Sequence, residues 1–149
     1  MAVDVWDDVF AYREENAQNW WEDEALELFL GFYELKFMHS SMQNGEEPDY
    51  RIVLRPDSLL LPDKTTIPNG AADYFFEIPD DTTNYDSSYV IEAKIPFERI
   101  QLQGDAAFTP NEGMTIPFEV YATDSDVPNG GAEGRLQLGD HWALNPFGD

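Results

Sequence analysis

The sequence predicts an all-β domain, an antiparallel β-sandwich or jelly roll with long acidic loops. Three observations lead there. Seven segments alternate apolar and polar residues with period two, the signature of half-buried strands. Stretches rich in Gly, Pro, Asn and Asp separate them, as turns do. A content of 42% hydrophobic and 14% aromatic residues lets 149 residues bury one core.

In chain order, segment 2–9, "AVDVWDDV", sets Val3 and Val5 against Asp4 and Trp6. Segment 8–19, "DVFAYREENAQN", breaks the alternation and predicts a helical turn or a long loop. Segment 25–30, "ALELFL", places Leu26, Leu28 and Leu30 on one face, with Glu27 and Phe29 on the other. Segment 50–55, "YRIVLR", sets Tyr50, Ile52 and Leu54 opposite Arg51, Val53 and Arg55. Strands follow at 72–78, "ADYFFEI", and 88–97, "SYVIEAKIPF"; "IPFERIQL" predicts another short helical turn. The last strands are 114–124, "MTIPFEVYATD", and 134–138, "GRLQL", with Leu136 and Leu138 turned inward. The connections "MQNGEEPD", "PDKTTIPNG", "PDDTTNYDSS", "TPNEG" and "DSDVPNGGAEG" read as turn-rich loops. With no internal repeat or linker, residues 1–149 read as a single domain.

Thirty acidic residues against eight basic ones give a net charge of −22. That balance argues against nucleic acid, whose phosphates need a basic footprint, and against anionic membrane surfaces. It fits solvation in high salt, capture of divalent cations, or an acidic secreted protein. The absence of cysteine excludes disulfides, thiolate metal sites and cysteine nucleophiles. No segment approaches the roughly 18 apolar residues of a membrane span, so no membrane insertion is expected. The start, "MAVDVWDDVF", lacks the pattern of a signal peptide.

Nucleophilic catalysis finds little to work with: the histidines are His39 and His141, and no Gly-x-Ser-x-Gly elbow occurs. The expectation is a protein that is not an enzyme. Glu27 and Glu92 each interrupt an apolar strand, and the plain reading is a strand residue facing solvent; the sharper one is glycosidase acid–base work. "DDTTNYD" (80–86) and "TDSDVPNGG" (123–131) cluster oxygen atoms around turns, as calcium requires and as solvated Asx-turns also do. Trp20 and Trp21 are sequential, so in an extended chain one anchors the core while the other projects. Trp142 sits in the polar loop "GDHWALNPFG", either packed beneath it or offered to a ligand.

At this point four stretches, in order, resemble the family 9 carbohydrate-binding modules. "WWEDEALELFL" is similar to the motif in which a tryptophan precedes an acidic pair and a Glu-x-Phe strand. "SYVIEAKIPFERI" resembles the family's Tyr-x-x-Glu-x-x-Ile-Pro strand through Tyr89, Glu92, Ile95 and Pro96. "GMTIPFEVYATDSD" looks like the penultimate strand with its Asp-x-Asp turn at Asp124 and Asp126, and "GRLQLGDHWALNPFG" like the closing Trp…Asn-Pro…Gly segment.

The resemblance implies a non-catalytic β-sandwich that binds a mono- or oligosaccharide or a polysaccharide chain end, in the setting of xylan or cellulose degradation. It implies structural calcium, here at Asp124 and Asp126, a tethered catalytic domain, and an extracellular or periplasmic location. In that family two tryptophans clamp a sugar ring; Trp21 and Trp142 occupy the matching stretches. Glu27 and Arg55 match polar positions near the clamp, and Asn145 lies beside its second wall. A pyranose has C–H bonds that pack on an indole and hydroxyls that a carboxylate and an arginine fork can satisfy.

The sequence departs from the pattern at Gly31, where an acidic residue is common, and at Tyr121, where a glutamine is. Family strands before "VDVWDD" and after "NPFG" have no counterpart, which reads as a fragment of a larger chain or as strands supplied from elsewhere. The alternative is a structural or interaction β-sandwich domain of a larger extracellular or cell-surface protein, without sugar binding. Haem-binding relatives of the same sandwich suggest Met38, Met42, Met114 and His39 as ligands, but Met38 and His39 are adjacent and would point oppositely on a strand.

Overall fold

The computed structural model describes residues 1–5, 10, 24–34, 49–78, 89–126 and 134–137. Alternating side chains become strands wherever one set can be buried. The strands are β1 (Ala2–Val5), β2 (Ala25–Gly31), β3 (Asp49–Leu54), β4 (Ser58–Leu60), β5 (Thr66–Pro68) and β6 (Tyr74–Glu77). After β7 (Tyr89–Ala93) comes one helical turn, α1 (Phe97–Ile100), then β8 (Phe118–Asp124) and β9 (Gly134–Gln137).

Every pairing is antiparallel. One sheet runs β1-β7-β6 and the other β5-β4-β3-β2-β8-β9, so the fold is an all-β sandwich. Between the sheets, Leu26 and Leu28 of β2 and Tyr50, Ile52 and Leu54 of β3 meet Tyr74, Phe76, Tyr89 and Ile91 of the smaller sheet. Val3 and Val5 pack against the same cluster, as their alternation with Asp4 predicts. Ile52, Leu54, Leu59 and Ile91 are fully sealed, and each such burial contributes about 1.5–3 kcal/mol.

One end of this core is closed by rings. Phe32 stacks on Phe108 at 4.5 Å between centroids and meets Tyr50 edge-on at 4.9 Å. Ile100 of α1 is buried beneath them, in the helical turn that "IPFERI" predicts; Pro96, extended at φ −60°, begins that turn. The Tyr50 hydroxyl donates to Asp105 Oδ2 at 2.6 Å. Burial, reinforced by the hydrogen bond and charge of Asp105, pushes that phenol up to about 12.

Two sequence expectations need correction. The stretch "PDKTTIPNG" holds strand β5 rather than only a turn, because Leu59 pairs with Ile67 and Leu60 with Thr66. The true turn is tighter: Lys64 takes φ +68°, and the exposed Asp63 accepts the backbone N–H and the hydroxyl of Thr65, which lowers its pKa. Leu136, expected inward, is 76% exposed. It lies on β9, at the end of the six-stranded sheet among the described residues. In addition, β8 begins at Phe118, later than the predicted 114, while Leu138 and residues 6–9 lie outside the described residues.

Two local features fix the frame. A Cβ at Gly31 would collide with Tyr33 Cε1 and lie 2.9 Å from Pro117 Cγ, and the Gly31 N–H donates to the Pro117 carbonyl at 3.1 Å. A side chain at position 31 would require Tyr33 or Pro117 to move. At the edge of the smaller sheet, Asn69 acts as a substitute strand for β6. Its Oδ1 accepts the Phe76 N–H at 2.8 Å, and its Nδ2 donates to the Phe76 carbonyl at 2.8 Å and the Pro56 carbonyl at 2.9 Å. Gly70 N–H donates to the Tyr74 carbonyl at 3.1 Å, continuing the cover along the edge.

Candidate functional site

The residues of β2, β3 and β8 that do not face the core form the second face of the larger sheet, and Glu27, Val53, Glu119, Tyr121 and Thr123 on it are themselves buried. Strand register lines them up: Glu27 lies between Val53 and Tyr121, and Phe29 between Arg51 and Glu119. Arg51 Nε–H donates to Glu27 Oε2 at 2.8 Å in an ion pair. The same guanidinium sits 5.6 Å above the Phe29 ring, which packs at 4.9 Å against Tyr121. Cation, carboxylate and two rings therefore form one constellation, in which the Phe29 ring lies under the guanidinium and Tyr121 packs against Phe29.

Burial divides the roles. The Glu27 side chain is 1% exposed, whereas that of Arg51 is 30% exposed. The reading of Glu27 as a solvent-facing strand residue is thus corrected: the partner across the strand lets a carboxylate be buried. Glu92, with the same local pattern, is exposed as that reading expects. Arg55 shares the outward face of β3 but is buried, with Nε 3.6 Å from Asp57 Oδ1. Its carbonyl accepts the Tyr74 hydroxyl at 2.6 Å, so its backbone also ties the two sheets together. Thr123, on the same face as Tyr121, has a buried hydroxyl with no hydrogen-bond partner among the described residues.

Of the residues singled out from sequence, Glu27 and Arg55 fall on this one face. Trp21, Trp142 and Asn145 lie outside the described residues, as do His39, Met38 and Met42. Asp124 ends β8 on an exposed position, and Asp126 follows two residues later. Between them the Ser125 N–H donates to the buried Glu24 carboxylate at 2.6 Å, which draws a third acidic residue toward the turn. Among the described residues no group of three or more histidine, cysteine or acidic side chains is arranged to hold a metal ion. The 80–86 loop lies outside them.

Sequence reasoning missed Arg51, Phe29 and Tyr121 as members of the constellation. Alternation put Arg51 and Phe29 on the polar sides of their strands, but the register joining them across the sheet is a tertiary property. Tyr121 stood out only as a departure from the family pattern.

A concavity lies on the outward side of the three-stranded sheet. It has a volume of about 400 Å³, lined by Ala2, Asp73, Phe75, Glu92 and Lys94 among others. Phe75 and Glu92 are direct cross-strand partners, and the Phe75 ring is 43% exposed. The chain matches no protein-family model, no curated protein and no solved structure.

Proposed function

We propose that this chain is a non-catalytic carbohydrate-binding domain whose site lies on the outward face of the six-stranded sheet. One observation carries the reading: Arg51 is held by buried Glu27 beside the Phe29–Tyr121 ring pair. An arginine so fixed donates to ring hydroxyls without losing much freedom on binding, and the half-buried Phe29 ring, backed by buried Tyr121, is the apolar neighbour beside it. In this account Glu27 positions Arg51, and Arg55 braces the strand beneath. Trp21, Trp142 and Asn145 enter from the family resemblance as the clamp and its polar neighbour. Calcium at the Asp124–Asp126 turn, a tethered catalytic domain and a location outside the cytoplasm belong to the same proposal.

The experiment is titration with mono-, di- and oligosaccharides of xylan and cellulose, followed by tryptophan fluorescence. Kd values of roughly micromolar to millimolar are expected for ligands of this size. Trp142→Ala should abolish the response, and Arg51→Lys, which keeps the charge beside Glu27 but not the guanidinium fork, should weaken it, while circular dichroism stays that of the parent. Silence across the panel would falsify the sugar reading.

A second reading, an interaction domain of a larger protein, draws on the other sheet. There an exposed Phe75 beside Glu92 opens into the 400 Å³ concavity. Stable pairing with a neighbouring domain, blocked by Phe75→Asp and accompanied by no sugar affinity, selects that reading.

A further inference from the structure

The Asn69 latch also carries chemistry. Asn69 is followed by Gly70, and a glycine amide is the least hindered nucleophile a chain can offer to the side chain before it. We propose that Asn69–Gly70 is a spontaneous deamidation site that converts the edge latch of β6 irreversibly from closed to open.

The reaction is an intramolecular acyl transfer. The Gly70 backbone nitrogen attacks Asn69 Cγ, the Cγ–Nδ2 bond breaks, and ammonia leaves, giving a succinimide. Water then adds to one of the two ring carbonyls and opens the ring to aspartate or isoaspartate. No oxidant, metal or enzyme is needed.

The folded geometry opposes the first step. The Asn69 amide is held by three hydrogen bonds of 2.8 to 2.9 Å, and the Gly70 N–H is engaged by the Tyr74 carbonyl at 3.1 Å. Ring closure requires the side chain to turn back onto its own peptide and release all three. Cyclisation therefore proceeds from the locally opened edge, not from the latched one. The product cannot relatch in the same way. Nδ2 now donates to two carbonyls, those of Phe76 and Pro56; a carboxylate oxygen in its place would set negative charge against both. The Phe76 carbonyl loses its donor outright, and repulsion at the two carbonyls drives the carboxylate off the edge, so that the Phe76 N–H loses its acceptor with it. Each opening thus has a chance of becoming permanent, and the site records how often the edge has opened.

The test compares three samples by peptide mapping at mildly alkaline pH: the folded protein, the same protein in denaturing urea, and a synthetic peptide spanning residues 67–72. The expected result is conversion at Asn69 about tenfold or more slower in the folded protein, with urea restoring the peptide's rate. Asn69→Asp should melt below the parent, and its Phe76 amide should lose protection from hydrogen exchange. Should that variant fail to accumulate, converted wild-type protein isolated by anion exchange gives the same readings. Equal rates in folded protein and peptide overturn the proposal. So does a converted protein with the parent's melting temperature and an intact, protected Phe76 amide.

Discussion

The two sheets present outward faces built on opposite physical terms. On the six-stranded sheet Glu27 and Glu119 are buried, and Glu27 is held by Arg51 within a cluster of rings. On the three-stranded sheet Glu92 and Lys94 stand in water around an open concavity. Both faces derive from strands of the same alternating pattern. The difference teaches that a polar strand face is a choice between two solvents: bulk water, or a network in which every charge must have its counterpart.

The largest expected effect tests that distinction directly. Glu27→Ala removes the buried half of the Arg51 ion pair and leaves a cavity where its side chain packed, and should cost about 3 kcal/mol, read from the urea midpoint at unchanged slope. A loss below about 1 kcal/mol would mean that the buried face is no more than a solvated one. The turn that ends the same sheet supplies the next test. If Asp124 and Asp126 hold calcium, the ion at a hundred times its Kd should stabilise the fold by about 2.7 kcal/mol. A melting temperature indifferent to EDTA and then excess calcium removes the ion from the site.

A buried hydroxyl sharpens the comparison at high pH. Tyr50 carries a pKa of about 12 in the folded protein against 10.0 for a free phenol, because burial and Asp105 favour its neutral form. Its contribution is complete below pH 10 and is lost as pH rises through 12. Urea titrations across that range should show the decline in the parent and not in Tyr50→Phe. The smallest effect belongs to the exposed face: Glu92→Gln should leave stability within about 0.5 kcal/mol of the parent. A cost of several times that would reveal a network there too.

How far the sequence reaches is best seen in Glu27 and Glu92. Each follows an apolar residue in a strand and looks alike locally, yet one is buried and the other wet. What separates them is Arg51, 24 residues further along, brought close by a register that no short window contains. The alternation of β2 and β3 was legible because a leucine or isoleucine recurs at every second position, and the structure keeps those residues inward. Strand β5 was not, since "TTIP" carries turn chemistry and becomes extended only by pairing with β4. Leu136 misled for a related reason: alternation assigns a face, but burial depends on what packs over that face, and Leu136 on β9 is 76% exposed.

The crowding at Gly31 reaches beyond this one chain. A side chain there would strike Tyr33 and Pro117, two residues separated by more than eighty positions. Descendants of this gene should therefore change these three sites together: a bulkier residue at 31 accompanied by a trimmed one at 33, or by loss of the proline at 117. Such correlated drift would make the contact visible in an alignment of future sequences before any coordinates for them exist.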